Sequence, residues 1–519
     1  MKYIMKESDK KKLAEIEDLS GKDRVVKNVI TSWGSHFVLI IIGFIMPRMI
    51  HEHLGQISLG IWDLSWSFVN YLSLSGLGVG SSVNRYVAKY RSRNDYLSLN
   101  KALSSVVFIQ MLITLTVIAG TGVLVWMLPS LVSGHEGVDV SQARWVVGLL
   151  GLSLAAQMAF DTSRGLLTGM HRWDLYNALN AGSHILIAVL MIVVMLMGGG
   201  LIGLAVAYFI ITFLAEAARS IIATRLCVGL DLKKEYINLR DMRKMFTFGA
   251  KTIISSAPSI LVMQTVNIFV ASTLGPSALA VYARPSALVR HVETFMNKYS
   301  FVLTPMVGSI SASDDPDQLK RFLLQSTKYS VSFALPMILF MAILGDHVLN
   351  IWMGAEYARL NLIMVLSIGF FLPISQGPSL RVLMGMNRHG RVALINLVLT
   401  VVMLAIGLIW INLIGWELVY VAFLTSSIFT VTLGVITPIF TCRAIGMSYF
   451  EYLAKSYAVP LLCGGILTVW LIICRQWSNY SSLAILLIAM LGASVIVPML
   501  YWHLIMPDTF KASIRKRFL

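Results

Sequence analysis

Leu54-Gly55-Gln56-Ile57-Ser58-Leu59-Gly60-Ile61-Trp62 returns 220 residues later as Leu274-Gly275-Pro276-Ser277-Ala278-Leu279-Ala280-Val281-Tyr282. Two further echoes follow in the same order. Leu167-Thr168-Gly169-Met170-His171-Arg172, with Asn180 beyond it, recurs 216 residues on as Leu383-Met384-Gly385-Met386-Asn387-Arg388 with Asn396. Leu201-Ile202-Gly203 with Tyr208 recurs at an offset of 212 as Leu413-Ile414-Gly415 with Tyr420. Three marks in one order suggest a duplicated half. In a membrane chain, duplicated halves place a site between two bundles that can rock against each other.

Composition makes it a membrane chain. Hydrophobic residues are 57% of the 519 and charged residues only 13%. A soluble domain of that length could not hide so much apolar surface. Fourteen mainly apolar runs are long enough to cross a ~30 Å hydrocarbon core as helices. They fall at about 28–48, 58–80, 102–127, 145–164, 176–197, 201–221 and 247–273, then 277–308, 328–346, 360–384, 392–412, 416–440, 455–474 and 482–504. Runs of this length are too long for barrel strands, so the fold class is all-α, with every backbone group paired inside its own helix.

The charges test that count. With the N-terminus inside, 34 of the 42 Lys and Arg fall in cytoplasmic segments. The external segments hold Arg48, Arg144, Arg359 and Arg475, and Lys251, Arg284, Arg290 and Lys298 stay within spans. This alternation predicts both termini in the cytoplasm. The net charge of +16 is then topology signal and attraction to anionic lipid, and needs no nucleic acid. The apolar run after the charged lead is span-length with no A-x-A-like site, so a signal peptide is not expected. Four scattered cysteines without a CxxC suggest neither a disulfide framework nor a metal site. No cofactor motif appears, and without a GxxxxGK[ST] pattern an ATP motor is excluded.

The expected organisation is a cytoplasmic lead (1–27), a first lobe of six helices (28–223), a charged cytoplasmic linker (224–246) and a second lobe of six (247–440). Helices thirteen and fourteen (441–504) have no repeat partner, and a basic cytoplasmic tail (505–519) follows. Gly76-x-Gly78-x-Gly80 reads as packing glycine within the second span, and His51-Glu52-His53 as a short external turn with too few ligands for a metal.

Charges at membrane depth mark candidate function, because a cation there costs at least about 2.5–3.5 kcal/mol. Arg284, His291 and Lys298 are spaced by seven, which puts them on one helical stripe. Arg290 has Glu293 one turn on. Lys251 lies near the inner end of the seventh span, and Arg48 and Arg85 at span ends. Arg284, Arg290, Lys298, Lys251, Arg48 and Arg85 are therefore the substrate-binding candidates, and guanidinium geometry suits phosphate. Asp63, Asp161, Glu216 and Glu293 are candidates for a coupling proton or sodium. Asp161 has Arg164 at i+3, Glu216 has Arg219, and Glu293 has Arg290 behind it; Asp63 has no such local partner.

Several motifs resemble the polysaccharide transporter (Wzx-type O-antigen and capsule flippase) branch of the multidrug/oligosaccharidyl-lipid/polysaccharide exporter superfamily. Leu54-Gly55…Leu59-Gly60-x-Trp62, Leu77-Gly78 and Asn84-Arg85-Tyr86-Val87-Ala88 look like its second helix and following loop. Ile351-Trp352-Met353-Gly354-x-Glu356-Tyr357 resembles its loop after the ninth helix, and Leu383-x-Gly385-x-x-Arg388 its tenth-to-eleventh turn. The resemblance implies two six-helix lobes that move a polyprenyl-diphosphate-linked oligosaccharide from the inner to the outer leaflet of the cell (inner) membrane. It implies lipid-linked oligosaccharide and membrane lipid as partners, with polysaccharide polymerase or assembly proteins alongside. A cation-coupled multidrug exporter on the same fold stays open as an alternative. An enzyme is not expected, since the longest external loop (128–144) is short and carries only His135, Glu136 and Asp139 ahead of Arg144.

Overall fold

A computed structural model describes residues 22–76, 79–312, 316–477 and 480–506 with positions 508 and 511; within these, side chains are not described at 22–26, 29, 79–82, 240–241, 244–253, 255, 305, 311–312 and 316. The described residues are helical almost throughout. The helices are α1 (Lys22–Ser73), α2 (Val79–Arg91), α3 (Tyr96–Val132), α4 (Val140–Gly169), α5 (Trp173–Leu196), α6 (Gly200–Leu226), α7 (Leu239–Thr273) and α8 (Pro276–Ala312). They continue with α9 (Pro316–Met353), α10 (Leu360–Ser375), α11 (Gly377–Gly385), α12 (His389–Ile414), α13 (Leu418–Phe429), α14 (Thr437–Ala444), α15 (Tyr449–Gln476) and α16 (Ser482–Leu504).

Eleven helical stretches among the described residues are long and apolar enough to span a membrane. That number counts α1 once, although Gly55 (φ 82°, ψ 171°) breaks it into two spans. It also leaves out α7 and α8, which carry Lys251, Arg284, Arg290, Glu293 and Lys298. Splitting α1 and adding these two restores the fourteen expected spans. Apolar side chains point outward as lipid requires: Trp126, Met197, Leu413 and Phe450 are each at least three-quarters exposed.

Proximity divides the chain into two units. One holds the described residues up to Ile260 with Asn267–Leu279; the other holds Leu261–Val266 and the described residues from Ala280 on. In the first, α4 is central, packed on α3 and α6, while α5 lies on α1 and α6. In the second, α10 packs on α9 and α13, the same neighbour pattern one repeat later. The added helices are not peripheral: α15 packs along α9, and α16 packs on both. Arg475 and Asp346 clamp α15 to α9 in a bidentate pair of two 2.8 Å bonds.

The repeat holds at two of its three marks. Gly55 and Gly275 both sit at positive φ (82° and 91°), a conformation that a side chain would strain, so both halves break the chain at the same place. The Leu167–Arg172 and Leu383–Arg388 turns also match in backbone. The third echo fails. Leu201-Ile202-Gly203 opens α6, whereas Leu413-Ile414 closes α12 and Gly415 caps it. The true counterpart of Gly200–Leu226 is the Leu418–Ala444 stretch, at an offset of 218.

Other local readings change too. Residues 51–53 are helical, with the His53 ring against the Met49 carbonyl at 3.0 Å, because the helix continues to Gly55. The second span stops at Ser73 and Gly76 lies in a 3₁₀ turn, not within a helix; Gly78 is outside the described residues. The Ser375–Gly377 break splits the tenth span at Gln376, whose side-chain amide is hydrogen-bonded at both its nitrogen and its oxygen. Gln376 Nε2 donates to the Tyr457 hydroxyl at 2.6 Å, and its Oε1 accepts from Tyr452 and from Ser379 at 2.9 Å. Tyr452 also reaches Thr327 at 3.1 Å, so one buried network joins the break to α15 and α9.

The linker is shorter and more ordered than a tether. Helix α6 runs to Leu226 and α7 starts at Leu239. The segment between is held to the first turns of α3. Asn100 donates to the Gly229 carbonyl (3.0 Å) and accepts from the Asp231 amide (3.0 Å). Ser104 and Ser105 accept from the amides of Lys233 (3.2 Å) and Asn238 (3.0 Å). Asp95 caps α3 by accepting from the Ser98 amide at 3.0 Å, and its bonds to Ser98 hold the carboxyl below the usual carboxylate range.

Candidate functional site

Helix α8 carries the cation stripe without interruption across Pro285. Its heptad face is core: Tyr282 is fully buried, and Val289, Met296 and Leu303 follow it inward. Tyr282 hydrogen-bonds Thr425 of α13 at 2.9 Å, and Tyr299 donates to the Ser326 carbonyl of α9 at 3.1 Å. These anchors set the rotation of the helix and hence where its charges go. Arg284 is buried, at 5% exposure, and His291 and Lys298 are half-buried on the same stripe. Arg290 is exposed and is the charged neighbour of Glu293, one turn on.

The remaining basic candidates are scattered. Arg48 is exposed and paired with Glu52 at 2.7 Å across one helical turn. Arg85 is exposed on the short helix α2. The Lys251 side chain lies outside the described residues.

The acids fare differently, and the first unit draws two of them together. Glu216 of α6 bonds Arg219 at 2.6 Å, and both side chains are buried. Asp161 of α4 meets Arg164 at 3.8 Å, with Arg164 more than half exposed. The two pairs are one cluster, because Asp161 feels Arg219 and Glu216 feels both Asp161 and Arg164. Helix α5 closes it with Tyr176, whose ring lies 5.5 Å from the Arg219 guanidinium carbon, and with His184, which also feels Arg219. Asp63 is half-buried on α1.

Tyr176 and His184 are members that sequence reading passed over, while Arg219 was expected as the local partner of Glu216. The signal was weak: nothing local ties His184 to Arg219, 35 residues on. Within the described residues no group of His, Cys, Asp and Glu could hold a metal ion.

A sequence family described as polysaccharide biosynthesis protein matches residues 98–362, just over half the chain. The chain belongs to this family. No curated protein sequence matches it significantly. Solved structures share its fold across nearly their whole lengths. The lipid II flippase MurJ in an inward closed conformation superposes with a TM-score of 0.71 at 14% identity, covering 93% of this chain and 100% of that one. An inward-facing multidrug resistance MATE family transporter of the MOP superfamily gives 0.62 at 16% identity, covering 87% and 100%. A MOP superfamily transporter from Pyrococcus furiosus Vc1 (DSM3638), described as having a binding pocket of reverse polarity, gives 0.58 at 16% identity, covering 86% and 99%. At such identities the likeness is one of fold. The polysaccharide family member is thus a multi-pass membrane protein with the MOP transporter fold, and its structural neighbours are transporters and a flippase, not enzymes.

Proposed function

We propose that this chain is a flippase that carries a polyprenyl-diphosphate-linked oligosaccharide, an O-antigen, capsule or exopolysaccharide unit, across the cytoplasmic membrane by alternating access. The observation that carries the reading is the concentration of intramembrane cations in α8 of a polysaccharide-family chain. The repeat is symmetric in backbone at Gly55 and Gly275 but not in charge: at an offset of 220, Asp63 stands opposite Ala283 and Leu64 opposite Arg284. A cation-rich second half suits a diphosphate better than a cationic drug. Arg284, Arg290, Lys298 and Lys251 are the proposed diphosphate contacts, with Arg48 and Arg85 at the span ends.

In this reading the two lobes (28–223 and 247–440) alternate, both termini lie in the cytoplasm, and the glycan passes through water while the lipid tail stays in the bilayer. Proton or sodium binding at Asp63, Asp161, Glu216 or Glu293 drives the cycle, and polymerase or assembly proteins take the product. The alternative is a cation-coupled multidrug exporter. A site for cationic drugs should favour acidic lining residues, and the concentration of cations in α8 disfavours it.

A proteoliposome assay with fluorescent polyprenyl-diphosphate oligosaccharide tests the assignment. The Arg284→Gln/Arg290→Gln protein is expected to flip at least about tenfold more slowly, the loss of one charge-assisted contact or more. Unchanged flipping by this variant sinks the assigned roles, and export of a cationic dye with no glycolipid flipping favours the exporter.

A further inference from the structure

The sequence turn shared by the two halves is the same piece of backbone built twice. Arg172 N donates to the Leu167 carbonyl and Arg388 N to the Leu383 carbonyl, both at 2.9 Å. Met170 N→Leu166 O and Met386 N→Val382 O are both 3.0 Å. His171 and Asn387, at matching positions, both adopt positive φ, 56° and 55°. Each turn then launches a long helix, α5 or α12.

The two turns differ in who neutralises the arginine. In the first unit Asp174 accepts from Arg172 Nε at 3.2 Å and meets Lys27 Nζ at 3.4 Å. Asn28 seals the turn by accepting from the Asp174 amide at 2.9 Å. In the second unit, 216 residues on, Gly390 stands in place of Asp174 and Arg391 in place of Leu175. Arg443, near the end of α14, adds a third guanidinium. Arg388, Arg391 and Arg443 line a cavity of about 730 Å³ together with Asn387, Gly390 and Phe440.

Among the described residues no acid pairs with them. The sequence holds no Asp or Glu between Glu356 and Glu417, nor between Glu417 and Glu451. Glu451 is itself bonded to Lys455 at 2.6 Å. Among the described residues none of the three arginines makes an ion pair, and Arg388 has one long bond, from Nη1 to the Ala444 carbonyl at 3.4 Å. Three guanidinium groups around one hollow repel one another, and each presents a planar fork suited to phosphate oxygens. Gly390, Arg391 and Val392 at the start of α12 line the same hollow.

We propose that this three-arginine pocket binds a phosphate-type anion, which supplies from outside the chain the negative charge that Asp174 supplies within the first half. The inference does not rest on the flippase reading or on the α8 cations. Its ligand has two sources, the headgroup of an anionic phospholipid or soluble inorganic phosphate and pyrophosphate. The apolar wall given by Leu383, Val392 and Phe440 is compatible with either.

The test uses the purified full-length protein and two variants. Gly390→Asp rebuilds the first half's counter-ion; Gly390 is not at positive φ, and nothing lies within 4 Å of where its Cβ would stand. Arg388→Gln/Arg391→Gln removes two of the cations instead. Native mass spectrometry from phosphatidylglycerol/phosphatidylcholine nanodiscs reads lipid retention, and calorimetry in detergent reads inorganic phosphate and pyrophosphate binding.

The expected result is wild-type binding of at least one probe, weakened at least about tenfold in both variants at unchanged thermal midpoint. Selective phosphatidylglycerol retention identifies a lipid source; phosphate or pyrophosphate binding without it identifies a soluble one. No binding of any probe by the wild type, or binding that neither variant weakens by more than about twofold, overturns the proposal. Because the variants lower the pocket's positive charge by different means, misfolding of one leaves the other to decide.

Discussion

Removing one partner of the Glu216–Arg219 pair should unfold the first unit far more readily than removing both. The two side chains are 6% and 12% exposed and meet at 2.6 Å, so neither can fall back on water when the other is lost. Two unit charges about 4 Å apart attract by about 4 kcal/mol at an effective dielectric near 20. Breaking a buried pair on one side costs about 3–5 kcal/mol by experience with other proteins, while replacing both members by apolar or neutral groups is often nearly neutral. The cluster makes the two single variants unequal. In Glu216→Gln, Arg219 keeps the field of Asp161 and the Tyr176 ring, so its cost should sit near the lower end of that range. In Arg219→Met, Glu216 and Asp161 are left with Arg164 alone, whose side chain is 56% exposed and stands 3.8 Å from Asp161, so its cost should sit near the upper end. Unfolding followed by tryptophan fluorescence in a mixed detergent series, for the two single variants and the Glu216→Gln/Arg219→Met double, completes a double-mutant cycle. A double variant that is no more stable than Arg219→Met refutes the reasoning, because the pair would then not be the source of the loss.

Three further outcomes follow from particular contacts. Asn100→Ala removes two of the bonds described between α3 and the 227–238 segment, so trypsin cleavage at Lys233 and Lys234 should become at least several-fold faster, as expected from an opening cost lowered by about 1–3 kcal/mol. Tyr452→Phe deletes the hydroxyl shared by Gln376, Ser379 and Thr327 and should destabilise the second unit by about 1–3 kcal/mol in the same unfolding assay, with Tyr449→Phe as the silent control. Asp95→Ala should cost about 1 kcal/mol. Since the folded carboxyl titrates below its unfolded value, the cap's contribution is present above the unfolded value and lost as pH falls through the folded one, so the difference between wild type and variant should shrink in acid.

How much of this was readable depended on the range of the interaction. Hydropathy located the spans, because each lipid-facing helix is apolar on its own account: 176–197 was expected and Trp173–Leu196 forms. The Gly55 and Gly275 breaks were legible because positive φ leaves its mark as glycine. The third echo misled because Leu-Ile-Gly is a short apolar string in a chain made mostly of such strings. The real counterpart, Gly200–Leu226 against Leu418–Ala444, kept its length and lost its letters. The break at Gln376 could not be seen either, since its partners Tyr452 and Tyr457 lie 76 and 81 residues away. At the candidate site the i+3 ion pairs followed from helical spacing alone. The approach of Asp161 to Glu216, on different helices, needed the packing of α4 on α6. The empty column opposite Asp174 became meaningful only once both turns were seen to share a backbone.

The clasp on Asn100 also bears on how the chain is made. Asn100, with no measurable exposure, offers its amide to backbone groups that are synthesised 129 and 131 residues later. Until Gly229 and Asp231 have left the ribosome, that amide has to be satisfied by water at the head of α3. The first self-sufficient stretch of nascent chain therefore ends near Asn238, past the sixth span and not at its edge. A split version of the protein cut at Ala223 would bare the Asn100, Ser104 and Ser105 side chains, whereas one cut beyond Asn238 would take its own fastening with it.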